Sequence, residues 1–289
     1  MTSVAVVGLG EMGARFAKRF LDEAHEVIVW NRSPGRASSL TDRGALLAKS
    51  PADAARLAEV VVTMVSDPAA LQAVTEGTAG LLAGVDRSTT LIDMSTVGPA
   101  AVSRLASLLP DGVGLLDAPV LGSLSEAESG SLSIFVGGPP PLVDRWSPLL
   151  STLGSPIRVG PLGAGATAKL VANLTLFGNL AVFGEALALA RGLGLSDDAA
   201  FEVLARTPSA AQAERRRSSV ESGDYPVRFP LRLARKDADL IANVAAEVGL
   251  DLRLAAAARA WLTQAADEGW GDEDYSTALK MVLGDRRRK

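Results

Sequence analysis

The chain of 289 residues contains no cysteine, one histidine and two tyrosines. The lack of cysteine excludes disulfide bonds, thiolate nucleophiles and cysteine-ligated metal sites. A serine hydrolase triad would have to use the single histidine, and the predicted position of that residue excludes this. The single histidine, His25, follows the first predicted helix, so we expect a structural role at the N-terminal edge of the sheet, away from bound ligands. Neither Tyr225 nor Tyr275 has a lysine four positions later, which argues against the Tyr-xxx-Lys pair of short-chain dehydrogenases.

A strong excess of one charge is also absent. The net charge is -4, with 48% hydrophobic and 21% charged residues, and this balance predicts a soluble protein without nucleic-acid or membrane partners. Two basic runs, 215–217 and 286–289, are interpreted as a solvated helix face and a frayed tail. The start of the chain lacks the pattern of a secretory signal, so we expect a cytoplasmic protein.

Short apolar runs alternate with helical patterns in the first half of the chain. The strand candidates are 4–8, 27–30, 45–48, 60–65, 90–94, 114–118, 132–137 and 157–160. Helical patterns between them cover 11–23, 51–58, 99–109 and 140–150. This alternation predicts an α/β fold with a Rossmann-like, mostly parallel, doubly wound sheet covered on both faces.

Strand candidates end near residue 165, and the remainder has helical patterns. These patterns cover 166–192, 197–205, 209–221, 231–248, 253–268 and 272–283. We therefore predict two domains, a Rossmann-like domain at 1–164 and an all-α domain at 165–289. The long segment 166–192 connects them. It has too many polar residues for a membrane span, and we expect a deeply buried helix that a second copy helps to cover, hence a homodimer or higher homo-oligomer.

A glycine-rich loop follows the first strand candidate. Its candidate cofactor residues are Gly8, Leu9, Gly10, Glu11, Met12 and Gly13. A GxGxxG pattern alone is weak evidence, but here a buried strand precedes it and a helix follows it. Gly8 permits the tight turn, Gly10 lets the backbone approach a pyrophosphate, and Gly13 lets the helix pack on the strand. The pattern predicts dinucleotide binding at a helix N-terminus.

The end of the second strand candidate indicates which dinucleotide binds. An acidic residue at this place would bond the ribose hydroxyls of NAD, but the chain has Asn31, Arg32 and Ser33. An arginine beside hydroxyl and amide groups can hold a 2'-phosphate, so we expect NADP(H) in preference to NAD(H). Alternatively, Arg32 is only a surface arginine. Met64 and Val65, at the end of another strand candidate, are further candidate cofactor contacts.

Lys169 is the candidate acid/base for proton transfer to a carbonyl oxygen. It lies near the start of the long apolar segment, and Asn173 follows it by four residues. Residues at i and i+4 share one helix face, so the amine and the amide can reach a single oxygen-bearing group. The alternative is a lysine whose stem lies along the helix end and whose charge reaches solvent.

Ordered blocks over essentially the whole chain resemble the β-hydroxyacid dehydrogenase family, which includes 3-hydroxyisobutyrate dehydrogenase and the tartronate, glyoxylate and succinic semialdehyde reductases. The blocks are VVGLGEMG near the start, DMST at 93–96, DAPV at 117–120, VGG at 136–138, GAGATAKLVAN at 163–173, KD at 236–237 and GDEDYS at 271–276. The resemblance implies that Lys169 is the catalytic acid/base and that Asn173 fixes the substrate, in a cleft between the two domains.

The same resemblance implies further contacts. Thr96, Lys236 and Asp237 are candidate cofactor contacts, and Ser95 is a candidate substrate contact. The chain departs from the family pattern after DAPV, where Leu121, Gly122 and Ser123 replace Ser-Gly-Gly, and at Ala172, which replaces an asparagine. The serine that would bond a substrate carboxylate is missing, although Gly122 and Ser123 can still offer N–H groups and a displaced hydroxyl.

These patterns predict an NADP-dependent oxidoreductase that transfers hydride between the nicotinamide and a small carbonyl compound or β-hydroxy acid, without a metal. Two alternatives remain. An imine reductase would use the same two-domain plan to reduce C=N bonds. A non-catalytic NADP-binding module would bind the dinucleotide without turnover.

Overall fold

The computed structural model describes residues 1–284, so the predicted basic tail at 286–289 lies outside the described residues. The chain divides into two compact units, Met1–Leu170 and the chain from Val171 onward. The division falls a few residues inside one long helix, and each unit is described separately below.

The first unit contains a nine-stranded sheet. Its strands are β1 Ser3–Val7, β2 Glu26–Trp30, β3 Leu46–Leu47, β4 Val60–Thr63, β5 Thr90–Asp93, β6 Gly114–Asp117, β7 Val120–Leu121, β8 Leu132–Gly137 and β9 Gly154–Gly160. The strand order is β3-β2-β1-β4-β5-β6-β8-β7, with β9 beside β8. Strands β1 to β6 pair in parallel, whereas β8 is antiparallel to β6 and β7. The predicted mostly parallel Rossmann-type sheet is confirmed.

Alternate residues of the central strands enter two different cores. Val4 and Val6 of β1 belong to one hydrophobic cluster, whereas Ala5 and Val7 belong to another. All four side chains are fully buried. Since successive side chains of a strand point to opposite faces, the sheet is covered on both sides, which explains the continuous apolar runs in the sequence.

Helices of the first unit cover the two faces. They are α1 Glu11–Asp22, α2 Ser38–Thr41, α3 Pro51–Arg56, α4 Pro68–Thr75, α5 Pro99–Leu108, α6 Leu124–Ser129 and α7 Pro140–Leu150. Proline stands in the first turn of α3, α4, α5 and α7, where its missing N–H costs nothing. Sequence patterns did not predict α2, α4 or α6. The last of these lies inside the segment interpreted as a ligand loop.

The second unit is helical within the described residues. Its helices are α8 Ala164–Gly192, which begins in the first unit, α9 Asp197–Leu204, α10 Ala210–Ser222, α11 Leu231–Glu247, α12 Arg253–Ala265 and α13 Ala278–Val282. The predicted helix over 272–283 is shorter, because the Asp274 side chain accepts the N–H groups of Arg228, Phe229 and Ser276 and so holds a turn there.

The interpretation of the basic run 215–217 as a fully solvated face is wrong for its central residue. Arg216 is only 6% exposed. It donates to the Ser276 hydroxyl at 2.9 Å and to the Tyr275 hydroxyl at 2.7 Å, and its guanidinium lies 3.6 Å from Asp274. A buried charge needs such partners, so Arg216 is a structural residue of the second unit.

Helix α8 is only partly buried. By length and composition alone it could cross a membrane, and half of its most apolar window is buried inside the protein. Val171, Val182 and Leu189 on the other side are exposed. One side of the helix is therefore buried within a single chain, and the expectation that a second copy covers the exposed side stays a prediction.

The start of α8 is held by a buried carboxylate at the end of β6. Asp117 is 1% exposed and accepts hydrogen bonds from the Gly163 N–H at 2.8 Å and the Ala166 N–H at 2.7 Å. Burial raises the pKa of Asp117, and the N–H donors oppose that rise. A Cβ on Gly165 would lie 2.4 Å from the Asp117 carbonyl oxygen, so the helix approaches the strand closely only because this residue is glycine.

We expect Asp117→Ala to destabilise the first unit by about 3 kcal/mol, because it leaves two poorly solvated N–H groups without acceptors. Asp67→Ala is the matched control, since Asp67 caps α4 by accepting the Ala70 N–H at 2.8 Å. A cap of that kind contributes about 1 kcal/mol. Urea unfolding of the two variants measures the difference, and equal losses would contradict the bracing role of Asp117.

Candidate functional site

The glycine loop after β1 has the shape that its three glycines predict. Gly8 has φ +100°, and a Cβ on it would lie 2.3 Å from the Met64 carbonyl oxygen. A Cβ on Gly13 would lie 1.9 Å from the Gly8 carbonyl oxygen, whereas one on Gly10 would meet nothing within 4 Å. Two glycines therefore fix the backbone, and the third leaves an open surface.

The open surface lies at the N-terminus of α1. Gly10 is the N-cap residue, and no side chain caps the first turn of the helix. Unpaired N–H groups at such a terminus suit an anion such as a pyrophosphate. The neighbouring side chains are engaged elsewhere, since Leu9 is buried, Met12 packs against the core and Glu11 pairs with Arg15. These three residues can therefore serve a cofactor chiefly through their main chain.

The end of β2 is tied to the glycine loop. Asn31 accepts the Leu9 N–H at 2.9 Å and donates to the Ser33 carbonyl at 3.0 Å, so its amide acts as a brace. Arg32 and Ser33 are exposed. Arg36 donates to the Leu9 carbonyl at 3.5 Å, which places a second guanidinium beside the loop. The sequence analysis did not identify Arg36 as a candidate cofactor residue, although it is a second arginine only four positions after Arg32.

Strands β4 and β5 end beside the same loop. The Met64 N–H donates to the Val7 carbonyl at 2.9 Å, and the Val65 N–H donates to the Ser95 hydroxyl at 2.9 Å. Ser95 is 1% exposed, so its hydroxyl joins two strand ends and would need a rearrangement to touch a substrate. Thr96 next to it is half-buried. The structure thus brings Gly8, Met64 and Ser95 to one edge of the sheet.

Two buried carboxylates lie side by side at this edge. Asp93 and Asp117 are in register at the ends of β5 and β6. Burial raises the pKa of Asp93 to about 6, and the negative charge of Asp117 adds to the rise. The Thr63 hydroxyl donates to Asp93 at 2.6 Å, and this hydrogen bond opposes the rise in the pKa of Asp93. Both aspartates lie in the DMST and DAPV blocks, yet sequence reasoning assigned them no role because nothing in the pattern shows which acidic residues are buried.

Lys169 lies three residues beyond the N–H group of Ala166 that Asp117 holds. The lysine is half-buried, on the first two turns of α8, and Asn173 follows one turn later on the same helix. The brace at Asp117 therefore sets the position of the turn that carries the candidate acid/base.

Asn173 is fully buried and oriented by Asp237. Its amide donates to the Asp237 carboxylate at 2.7 Å, and Lys236 forms an ion pair with the other oxygen of that carboxylate. The Asn173 carbonyl oxygen has no hydrogen-bond partner within the described residues. A buried acceptor without a donor is costly, so a ligand donor would stabilise this oxygen, but the fully buried side chain, like that of Ser95, would need a rearrangement to touch a ligand. Asp237, expected as a cofactor contact, thus also has an orienting contact that the sequence did not indicate.

The polar groups of the segment after DAPV form more internal hydrogen bonds than the sequence suggests. Leu121 at the end of β7 is 38% exposed. Ser123 donates from its N–H at 2.8 Å and from its hydroxyl at 2.6 Å to the carboxylate of Glu126, which forms a capping box at the start of α6. The displaced serine hydroxyl that we expected to remain for an anion is therefore already engaged. These bonds lower the pKa of Glu126 to about 2.

Comparison with known proteins fits this arrangement. The model for the NAD binding domain of 6-phosphogluconate dehydrogenase matches residues 3–163, and the model for the NAD-binding domain of NADP-dependent 3-hydroxyisobutyrate dehydrogenase matches 163–282. The 3-sulfolactaldehyde reductase of Escherichia coli is 32% identical over 98% of this chain and 96% of that protein. The chain belongs to the β-hydroxyacid dehydrogenase family. It is thus one of the oxidoreductases that use nicotinamide dinucleotides.

Solved structures agree with the family. The 3-hydroxyisobutyrate dehydrogenase of Mycobacterium tuberculosis, with L-serine, has a TM-score of 0.88 and 28% identity, covering 98% of this chain and 99% of that one. An imine reductase from Pseudomonas sp. has a TM-score of 0.62 and 23% identity, covering 96% of this chain and 98% of that one. The second likeness shows a shared fold and no more.

Gly13, where an added Cβ would overlap the backbone, and Gly10, where it would meet nothing, give a matched pair of variants. We expect Gly13→Ala to lose more than about 3 kcal/mol of stability, because its methyl group would overlap the Gly8 carbonyl oxygen. Gly10→Ala should fold with a loss of about 1 kcal/mol or less, yet bind a dinucleotide roughly tenfold more weakly because the methyl covers the open surface. Thermal unfolding and fluorescence titration with NADPH measure the two effects. A stable Gly13→Ala protein, or unchanged binding by Gly10→Ala, would contradict this account.

Proposed function

We propose that the protein transfers hydride between NADP(H) and a small carbonyl compound or hydroxy acid, with Lys169 as the acid/base. The observation that carries the proposal is the braced start of α8, where Asp117 holds the first turn and Lys169 follows one turn later. Family membership supports the reaction type, and the uncapped N-terminus of α1 supports the place of the dinucleotide.

In this reaction, the residues of the chain would have the following roles. A bound NADPH supplies the hydride for the carbonyl carbon. The Lys169 ammonium donates a proton to the carbonyl oxygen and is left as a neutral amine, which takes a proton again from solvent. Asp237 holds the Asn173 amide group, so that once the side chain is accessible its carbonyl oxygen would accept a hydrogen bond from the substrate. In the oxidation of an alcohol, the neutral amine would accept the hydroxyl proton.

Lys169→Ala tests the acid/base assignment. We expect turnover to fall by about 10²- to 10⁴-fold, the usual contribution of a positioned acid or base, while the affinity for NADPH changes little. Oxidation of NADPH in the presence of glyoxylate, succinic semialdehyde, tartronate semialdehyde and a cyclic imine measures turnover. Lys18→Ala on α1 is the control, since that lysine is exposed and outside the proposed site. Normal turnover by Lys169→Ala would overturn the mechanism.

The preference for NADP(H) is part of the proposal. Arg32 and Ser33 are exposed at the end of β2, and Arg36 lies beside the glycine loop, so the three can surround a 2'-phosphate. Charge-assisted bonds of this kind contribute about 1.5 to 3 kcal/mol each. An acidic side chain that would favour the ribose hydroxyls of NAD is absent from Asn31–Ser33.

Arg32→Ala should therefore weaken NADPH binding by roughly tenfold to hundredfold and leave NADH binding nearly unchanged. Arg43→Ala is the matched control, because Arg43 is exposed and pairs with Asp22 instead. Dissociation constants for both dinucleotides, measured by fluorescence titration, decide the point. Parallel weakening of NADPH and NADH would show that Arg32 is only a surface arginine.

Imine reduction is the second candidate function. The exposed Leu121 favours it, because the segment after DAPV presents an apolar side chain where the family pattern has the carboxylate-binding serine. The shared fold alone does not separate the two reactions. In the substrate comparison above, oxidation of NADPH with the cyclic imine and with no aldehyde would favour C=N reduction, whereas binding without any turnover would favour the non-catalytic module.

A further inference from the structure

The segment Leu121–Glu126 lies near the ligand edge of the sheet. Strand β6 ends at Asp117, whose carboxylate also holds the start of the helix that carries Lys169. In open α/β sheets, ligands bind outside the carboxyl ends of the parallel strands. Strand β7 follows within three residues and ends at Leu121. The segment is therefore placed to contact the non-reacting end of a substrate.

The backbone conformation of this segment is restricted at Gly122. Gly122 has φ +140°, and a Cβ on it would lie 2.6 Å from a methyl group of Leu132. Leu121 pairs with Ser133 of β8 immediately before it, and the capping box begins immediately after it at Ser123. Because the backbone is fixed on both sides of it, Leu121 has a defined backbone position, and its side chain is exposed there.

The polar side chains of the segment bond to one another. Three donors converge on a single carboxylate oxygen of Glu126: the Ser123 N–H at 2.8 Å, the Ser123 hydroxyl at 2.6 Å and the Ser125 hydroxyl at 3.0 Å. These bonds hold the pKa of Glu126 near 2, so its carboxylate is ionised at any pH at which the protein is assayed. An anionic ligand at this segment would meet a fixed negative charge that already takes both donors of Ser123.

We propose that Leu121–Glu126 selects substrates whose non-reacting end is uncharged and apolar, with Glu126 discriminating against a carboxylate at that end. This inference rests on the proposed function and narrows its substrate class from hydroxy acids in general to neutral carbonyl compounds. Leu121 supplies an apolar contact, and Glu126 supplies repulsion that a neutral ligand does not experience.

A matched pair of substrates tests the inference. Succinic semialdehyde carries a carboxylate, and its methyl ester has the same carbonyl without the charge. With NADPH, we expect kcat/KM of the wild-type protein to be at least roughly tenfold higher for the ester. Leu121→Ser should lower kcat/KM for the ester. Equal or better use of the acid by the wild-type protein would overturn the inference.

Glu126→Gln isolates the charge, because glutamine also completes a capping box and keeps the fold. We expect it to raise the ratio of kcat/KM for the acid to kcat/KM for the ester by about fivefold. Glu128→Gln is the matched control on the same helix, since Glu128 is exposed and pairs with Arg15. A Glu126→Gln protein that treats acid and ester as the wild type does would overturn the role of Glu126.

A binding experiment separates this inference from the proposed reaction. Calorimetric titration of the protein with NADP present compares butyrate with butyramide, which differ in charge and not in size. Tighter binding of butyramide, with a smaller difference in Glu126→Gln, supports the inference. If neither aldehyde is reduced in that case, only the proposed reaction is overturned. Tighter binding of butyrate, or binding of neither compound, overturns the inference whatever the turnover.

Discussion

The contact between the Asp117 carboxylate and the first N–H groups of α8 is the constraint on which the site depends. It joins the end of β6 to the helix that carries Lys169, and it does so with a buried carboxylate that two main-chain donors stabilise. Such a bond is directional and leaves little freedom to the first turn of the helix. The position of the candidate acid/base therefore follows from the sheet and not from a flexible connection.

A second carboxylate plays a similar part in the helical unit. Asp237 holds the amide of Asn173 and is itself paired with Lys236. In both units a buried aspartate orients a group of α8, and neither aspartate is the candidate acid/base itself. The chemistry assigned to Lys169 and Asn173 thus relies on acidic residues whose charge is balanced locally, by N–H groups in one unit and by an ammonium group in the other.

The fold was largely predictable from the sequence because the signals were strong and local. Apolar runs such as Val4–Val7 are buried on both faces, and the three glycines of the first loop have the separate steric roles that their spacing indicates. What could not be predicted depends on contacts distant in sequence or on side-chain orientation. Sequence alone does not show that Arg216 meets Tyr275, or that Ser123 turns toward Glu126 rather than outward.

The close packing of Gly8 and Gly13 limits which positions around the glycine loop can change. The floor of this loop is main chain in contact with main chain, so a side chain at either glycine would require a strand to move. The exposed rim at Arg32 and Ser33 has no such restriction. Laboratory evolution of the loop should therefore accumulate changes at the rim and leave the floor as it is.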